Sequence, residues 1–210
     1  MRGGPEGRGL AMQELNKLDT LREIIDKGQY IVALCGSGMI EECGLSPLKE
    51  QERAYRIEEK YGRSPEYLYT DAFFNTRTET FYDFYRNEIL ADVEPSASTY
   101  ALAAMERAGK LKCIISSNVY ELSERSGCRN VINLHGSIYH NHCQKCGRQY
   151  SVDDIKKARK VPYCEICGGV IRPDVSFFGE MLDSDKLSRT LEEIEKSDVL
   201  LLLGTSLSSE

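Results

Sequence analysis

Apolar residues recur along this chain with two alternating periods. Leu15, Leu18, Leu21, Ile24 and Ile25 fall at helical spacing. They predict a helix over 12–27, which Gly28 can end. The run YIVALC at 30–35 is short and continuously apolar, the pattern of a buried strand. Residues 49–62 are charged and predicted helical. Pro95 and Ser96 introduce another helix over 97–108. LKCII at 111–115 and residues 131–134 are predicted strands, 185–196 a helix, and Val199–Leu203 a fourth strand. Strands alternating with helices imply an α/β fold, a Rossmann-like parallel sheet with helices on both faces. No internal repeat is present. Residues 1–11 hold four glycines and a proline and are expected to form a disordered leader.

Two stretches break the alternation. Residues 64–95 concentrate aromatics: Tyr67, Tyr69, Phe73, Phe74, Phe81, Tyr82, Phe84 and Tyr85. They are expected to pack as core or lid. Residues 138–171 contain Cys143, Cys146, Cys164 and Cys167, two C-x2-C pairs separated by 17 residues. That spacing suits a four-thiolate zinc site. With four protein sulfurs the coordination sphere is closed, so the metal is a structural staple. His140 and His142 flank the first pair but are expected at the surface. The expected domains are therefore 12–137 with 172–210 for the sheet, and 138–171 for a small zinc module.

Composition narrows the picture. The net charge of -6 over 210 residues argues against nucleic-acid binding by the whole surface. Lys145, Arg148, Lys156, Lys157, Arg159 and Lys160 make the cysteine module locally basic, which is read as a solvated face. No apolar run is long enough to span a bilayer. The remaining cysteines, Cys35, Cys43, Cys113 and Cys128, have no regular spacing, and Cys35 and Cys113 sit in strands. Eight reduced cysteines and no secretion signal point to a cytoplasmic, reducing compartment.

Four polar turns follow predicted strands: Gly36-Ser37-Gly38, Ser116-Ser117-Asn118, His135-Gly136-Ser137 and Gly204-Thr205-Ser206. Ligands of doubly wound sheets bind beyond such strand ends. The glycine turn lacks the third glycine of the dinucleotide fingerprint, since position 41 is glutamate.

The ordered set resembles the sirtuins, the NAD-dependent protein deacylases. Their G-A-G-x-S-x-x-S-G-I-P turn is similar to 36–46, and their H-G-S to His135-Gly136-Ser137. The four cysteines, the run R-P-x-V-x-x-F-G-E at 172–180 and G-T-S-L at 204–207 also match. The resemblance implies catalytic His135 as general base, with Asn118 at the ribose or an ordered water. It implies cofactor contacts from Gly36, Ser37, Gly38, Lys49, Ser117, Asn118, Gly204, Thr205 and Ser206. It implies zinc on Cys143, Cys146, Cys164 and Cys167. An acyl-lysine peptide would lie along Val175, Phe178, Gly179 and Glu180 by strand addition.

The sequence also departs from the pattern. The family's phenylalanine-arginine pair is Leu48-Lys49, its glutamine Ser117, its nicotinamide-gripping aspartate Tyr120, and a following histidine Ser123. Family members continue past the point equivalent to Glu210, so either the sequence is a piece of a longer chain or the adenine side of the site is expected to be incomplete. The expected activity is transfer of a lysine acyl group to ADP-ribose with release of nicotinamide. The altered pocket leaves two alternatives, protein mono-ADP-ribosyl transfer and a catalytically impaired NAD or zinc-ribbon binding protein.

Overall fold

The computed structural model describes residues 5–205. The helices are α1 (Pro5–Lys27), α2 (Gly38–Glu42), α3 (Gln51–Tyr61), α4 (Pro65–Leu68), α5 (Asp71–Thr76), α6 (Thr78–Phe84), α7 (Ala97–Arg107), α8 (Leu122–Arg125), α9 (Val152–Lys157) and α10 (Ser184–Lys196). The strands are β1 (Ile31–Cys35), β2 (Leu111–Ser116), β3 (Val131–Asn133), β4 (Gly136–Cys143), β5 (Gln149–Ser151), β6 (Ile171–Val175) and β7 (Val199–Leu203). A π-helical turn, Tyr85–Ile89, continues α6. Helix α1 opens at Pro5, ahead of residue 12, and takes in part of the stretch read as a leader. Proline is tolerated in a first helical turn because its missing N–H has no partner there to lose. Residues 1–4 lie outside the described residues.

Four strands form a parallel sheet in the order β3-β2-β1-β7. Successive side chains of a strand point to opposite faces. Ile31, Ala33, Cys35, Leu111 and Ile114 pack on one face with Leu102 and Ala103 of α7 and Ile25 of α1. Val32, Cys113, Ile115 and Ile132 pack on the other with Ile194 of α10. In β1 and β2 the continuous apolar runs follow from burial on both faces, whereas Leu200 and Leu202 of the edge strand β7 are exposed. The order reverses between β1 and β7, which makes the crevice beyond their carboxyl ends the switch point of the sheet.

A second, antiparallel sheet has the order β5-β4-β6. Its core is the aromatic stretch: Tyr69, Phe74, Phe81, Tyr82, Phe84 and Tyr85 pack against Ile138, Ile155, Ile171, Val175 and Phe177. Residues on both sides of positions 138 and 171 thus share one core. Among the described residues no helix is long and apolar enough to cross a membrane.

Candidate functional site

Backbone hydrogen bonds stitch the polar strand ends together. Gly36 N donates to Leu203 O at 2.8 Å, Ser117 N to Cys35 O at 3.0 Å, and Leu134 N to Ser116 O at 2.9 Å. The stitching crosses into the second sheet, with Ile138 N donating to Val119 O at 3.0 Å and Ser176 N to His135 O at 2.9 Å. The turns after β1, β2, β3 and β7 therefore meet at one edge, with β4 and β6 against it. Ser206 lies outside the described residues.

Glycine is needed at this edge for close approach. A Cβ on Gly36 would stand 2.5 Å from Gly204 O, and one on Gly38 would stand 2.8 Å from Gly204 Cα. Gly38 N already donates to Gly204 O at 2.9 Å. The amides of Gly36 and Gly38 are thus spent on the β7 turn. These glycines let two turns interlock, and Ser37, whose side chain makes no capping bond, heads the short α2. Gly136 has φ +78°, and a Cβ there would lie 1.9 Å from Asp174 O. Only glycine fits between β4 and β6, which accounts for the residue after His135.

His135 is half-buried, and neither ring nitrogen has a protein partner among the described residues. Burial, and then the Lys186 ammonium on α10, hold its pKa below the ordinary imidazole value of 6.5. It is a neutral imidazole near pH 7, free to accept a proton. Asn118 is 3% exposed. Its Nδ2 donates to Ser116 Oγ at 2.8 Å, and its Oδ1 accepts from Tyr120 N at 3.0 Å. The Ser117 hydroxyl donates to Cys35 O at 3.1 Å, and the Tyr120 hydroxyl to Ile89 O at 3.0 Å. Sequence reasoning missed Arg53, which is buried and donates to Ser46 O and Glu88 O. It ties the loop before α3 to the π-helical turn. One of two arginines within a charged helix gives no signal of that.

Segment 175–180 leaves β6 and runs beside the aromatic core. Val175 is buried and Phe178 exposed. Phe178 N donates to Tyr69 O at 2.9 Å, which occupies one edge of the segment. Gly179 takes φ +85°. The Glu180 carboxylate accepts from Arg172 at 2.6 Å and from Phe177 N at 2.7 Å. Arg172 is thus the ion-pair partner of Glu180. Lys49 Nζ lies 5.3 Å from the Phe178 ring centroid, so it reaches toward this segment.

The four cysteine sulfurs all lie within 4.8 Å of one another. Cys143 and Cys167 are 3.4 Å apart, and Cys146 and Cys164 3.6 Å. Zn–S bonds of about 2.3 Å at tetrahedral angles require sulfurs about 3.8 Å apart. The cluster therefore fits zinc. Each pair sits on a turn closed by glycine: Gly147 N donates to Cys143 O, and Gly168 N to Cys164 O, both at 2.8 Å. The Tyr150 hydroxyl donates to Cys164 Sγ at 3.1 Å. His140 and His142 stand apart from the sulfurs, paired with Glu121 and Asp174.

A parallel sheet whose glycine turns interlock at the switch point, joined to a lobe with a four-cysteine cluster that fits a structural metal, defines a dinucleotide-binding type of α/β protein. A neutral imidazole stands at the seam between the two. The sequence pattern of the Sir2 family matches residues 36–210. The chain belongs to that family. It is 34% identical over 195 residues to an NAD-dependent protein deacetylase of Clostridium acetobutylicum, covering 92% of this chain and 80% of the relative. A crystal structure of a Sir2 homologue–NAD complex superposes with a TM-score of 0.79 at 34% identity, over 91% of this chain and 74% of the other. Sir2Tm bound to a propionylated peptide gives 0.78 at 27% identity, over 92% and 77%.

Proposed function

We propose that this chain is an NAD-dependent protein-lysine deacylase of the cytoplasm. The observation that carries this reading is His135, a half-buried imidazole with free ring nitrogens at the seam between the sheet and the cysteine lobe. NAD would be held by Gly36, Ser37, Gly38, Lys49, Ser117, Asn118, Gly204, Thr205 and Ser206. The interlocked glycines support this fit, because they pack the turns after β1 and β7 directly against each other at the switch point. When bound, NAD supplies the ribose carbon that takes the acyl oxygen as nicotinamide leaves. His135 would accept the proton of a ribose hydroxyl on a ring nitrogen, and its depressed pKa keeps that nitrogen open. Asn118, fixed by two bonds to its own loop, retains one N–H to position ribose or water. Val175, Phe178, Gly179 and Glu180 would border the acyl-lysine peptide by strand addition. Cys143, Cys146, Cys164 and Cys167 would bind zinc. By core membership, the second lobe would comprise the cysteine module together with the aromatic stretch.

The test is turnover of an acetyl-lysine peptide with NAD, followed by mass spectrometry, for the wild-type chain and His135→Gln. Deacylation that the substitution abolishes is expected. A folded, zinc-loaded chain that turns over no acyl peptide would sink the proposal. Protein mono-ADP-ribosyl transfer is the second reading, favoured by the Ser117 and Tyr120 hydroxyls being committed to Cys35 O and Ile89 O. Label from NAD on a target protein, without deacylation, would establish it instead.

A further inference from the structure

A groove of about 440 Å³ opens between the start of α5 and the segment proposed to border the peptide, lined by Tyr67, Thr70, Asp71, Ala72, Phe178, Gly179 and Glu180. Its two rings are exposed, Tyr67 by 52% and Phe178 by 38%. Thr70 and Phe178 bridge as parallel strands, so the two walls are fixed relative to each other. Tyr67 is further braced edge-on by Phe73, with centroids 5.6 Å apart.

The charge of the groove is unbalanced. Glu180 is neutralised by Arg172 at 2.6 Å. Asp71 accepts only an uncharged donor, Asn75 Nδ2 at 2.8 Å, and has no ion pair among the described residues. No cation lines the groove. An unneutralised carboxylate beside two exposed rings is the chemistry that holds an ammonium or guanidinium. The chain already demonstrates one half of this, since the Lys49 ammonium stands over the Phe178 ring from outside the groove.

We infer that this groove selects a lysine or arginine side chain of the substrate, flanking the acylated lysine. The inference rests on the deacylase reading and gives that site a substrate class, acyl-lysine in a basic sequence context. The aliphatic stem would lie along Tyr67 and Phe178, and the cationic head would reach Asp71.

The experiment uses the full chain and fluorescein-labelled acetyl-lysine peptides in which one arginine, or one glutamate, is walked through the flanking positions. Binding is read by fluorescence anisotropy without NAD, and turnover is read separately. At one flanking position arginine should bind about fivefold to tenfold more tightly than glutamate, an effect that added salt shrinks. Asp71→Asn and Tyr67→Ala should each reduce the preference to about twofold, while Tyr67→Phe keeps it. Binding with no position that favours arginine overturns the groove's role and leaves the deacylase reading standing. So does a preference that survives both substitutions. If no peptide binds at all, the groove's role is overturned, and the separate turnover readout decides the deacylase reading.

Discussion

In the cysteine lobe the functional atoms face one another, whereas in the His135 crevice most of them face backbone. Among the described residues, the sulfurs of Cys143, Cys146, Cys164 and Cys167 bond to each other, to the Tyr150 hydroxyl and to amides of their own turns. Ser117 and Asn118 spend their side chains on Cys35, Ser116 and Tyr120. The lobe would be a site completed by its ion, because four cysteines can all stay deprotonated this close together only around a cation. The crevice is a site completed by its fold, because bonds between strand ends hold its shape with nothing bound. The consequences of damage should differ accordingly: loss of structure in the first, loss of chemistry in the second.

The largest effect should come from breaking the lobe. Structural zinc contributes about 10–16 kcal/mol of apparent binding free energy in small sites. That rivals the roughly 5–15 kcal/mol by which a whole domain is stable. Cys164→Ser, or chelation of zinc, should therefore unfold the lobe and its aromatic core. The chain has twelve tyrosines and no tryptophan. Near-ultraviolet circular dichroism thus reads largely the Tyr69–Phe81–Tyr85 region. That signal should collapse with loss of zinc, while the far-ultraviolet signal of the parallel sheet persists in part. A zinc-free chain with an unchanged tyrosine spectrum would break the comparison.

Breaking the crevice should leave the spectrum intact. His135→Gln removes a side chain with no protein hydrogen bond, so stability should change by less than about 0.5 kcal/mol. Turnover of acetyl-lysine peptide should fall by about 10²-fold to 10⁴-fold, the range for losing a positioned general base. Equal losses of stability and turnover would show that the imidazole is structural.

The seam between the two regions should feel both. Gly136 has β6 backbone where a Cβ would go and a left-handed φ. Gly136→Ala should cost about 2–4 kcal/mol, from backbone strain plus overpacking. It should also lower turnover by displacing His135. Thermal unfolding against activity separates the two losses.

The two regions also differ in how far the sequence reveals them. The cysteine pairs announce themselves, because a knuckle is local and its spacing is its geometry. The sheet strands are legible for a similar reason, since each is a short continuous apolar run, and in β1 and β2 burial on both faces is what requires it. The aromatic stretch carries no such period. Its helices α4, α5 and α6 are of four, six and seven residues, too short for a periodic stripe, and they are ordered by packing against Ile171, Val175 and Phe177. Capping residues alone could have signalled them: Ser64 accepts from Tyr67 N, and Thr70 from Phe73 N. Asn118 bonds within its own loop, but the commitments of Ser117 to Cys35 O and of Arg53 to Glu88 O depend on contacts between distant segments. Nothing in the spacing of those residues encodes them.

The smallest effect is the sharpest probe of the crevice. Burial is the main cause of the low His135 pKa, and the Lys186 ammonium is the lesser one. Lys186→Gln should therefore restore only part of the shift, leaving the pKa still below 6.5. A general base acts when unprotonated, so kcat/KM falls as pH drops through the pKa of the free enzyme. The acid limb of the wild-type profile should lie below pH 6.5, and Lys186→Gln should move it upward toward that value. Lys186→Arg should leave it in place, since the charge is kept. Stability follows the same sign. The unfolded chain binds a proton on this histidine at higher pH than the folded chain, so His135 costs stability as pH falls below about 6.5. That cost should be smaller in Lys186→Gln, read from the pH dependence of the unfolding midpoint. An acid limb that ignores the charge at position 186 would mean that some other group sets it, and His135 would lose its standing as the base.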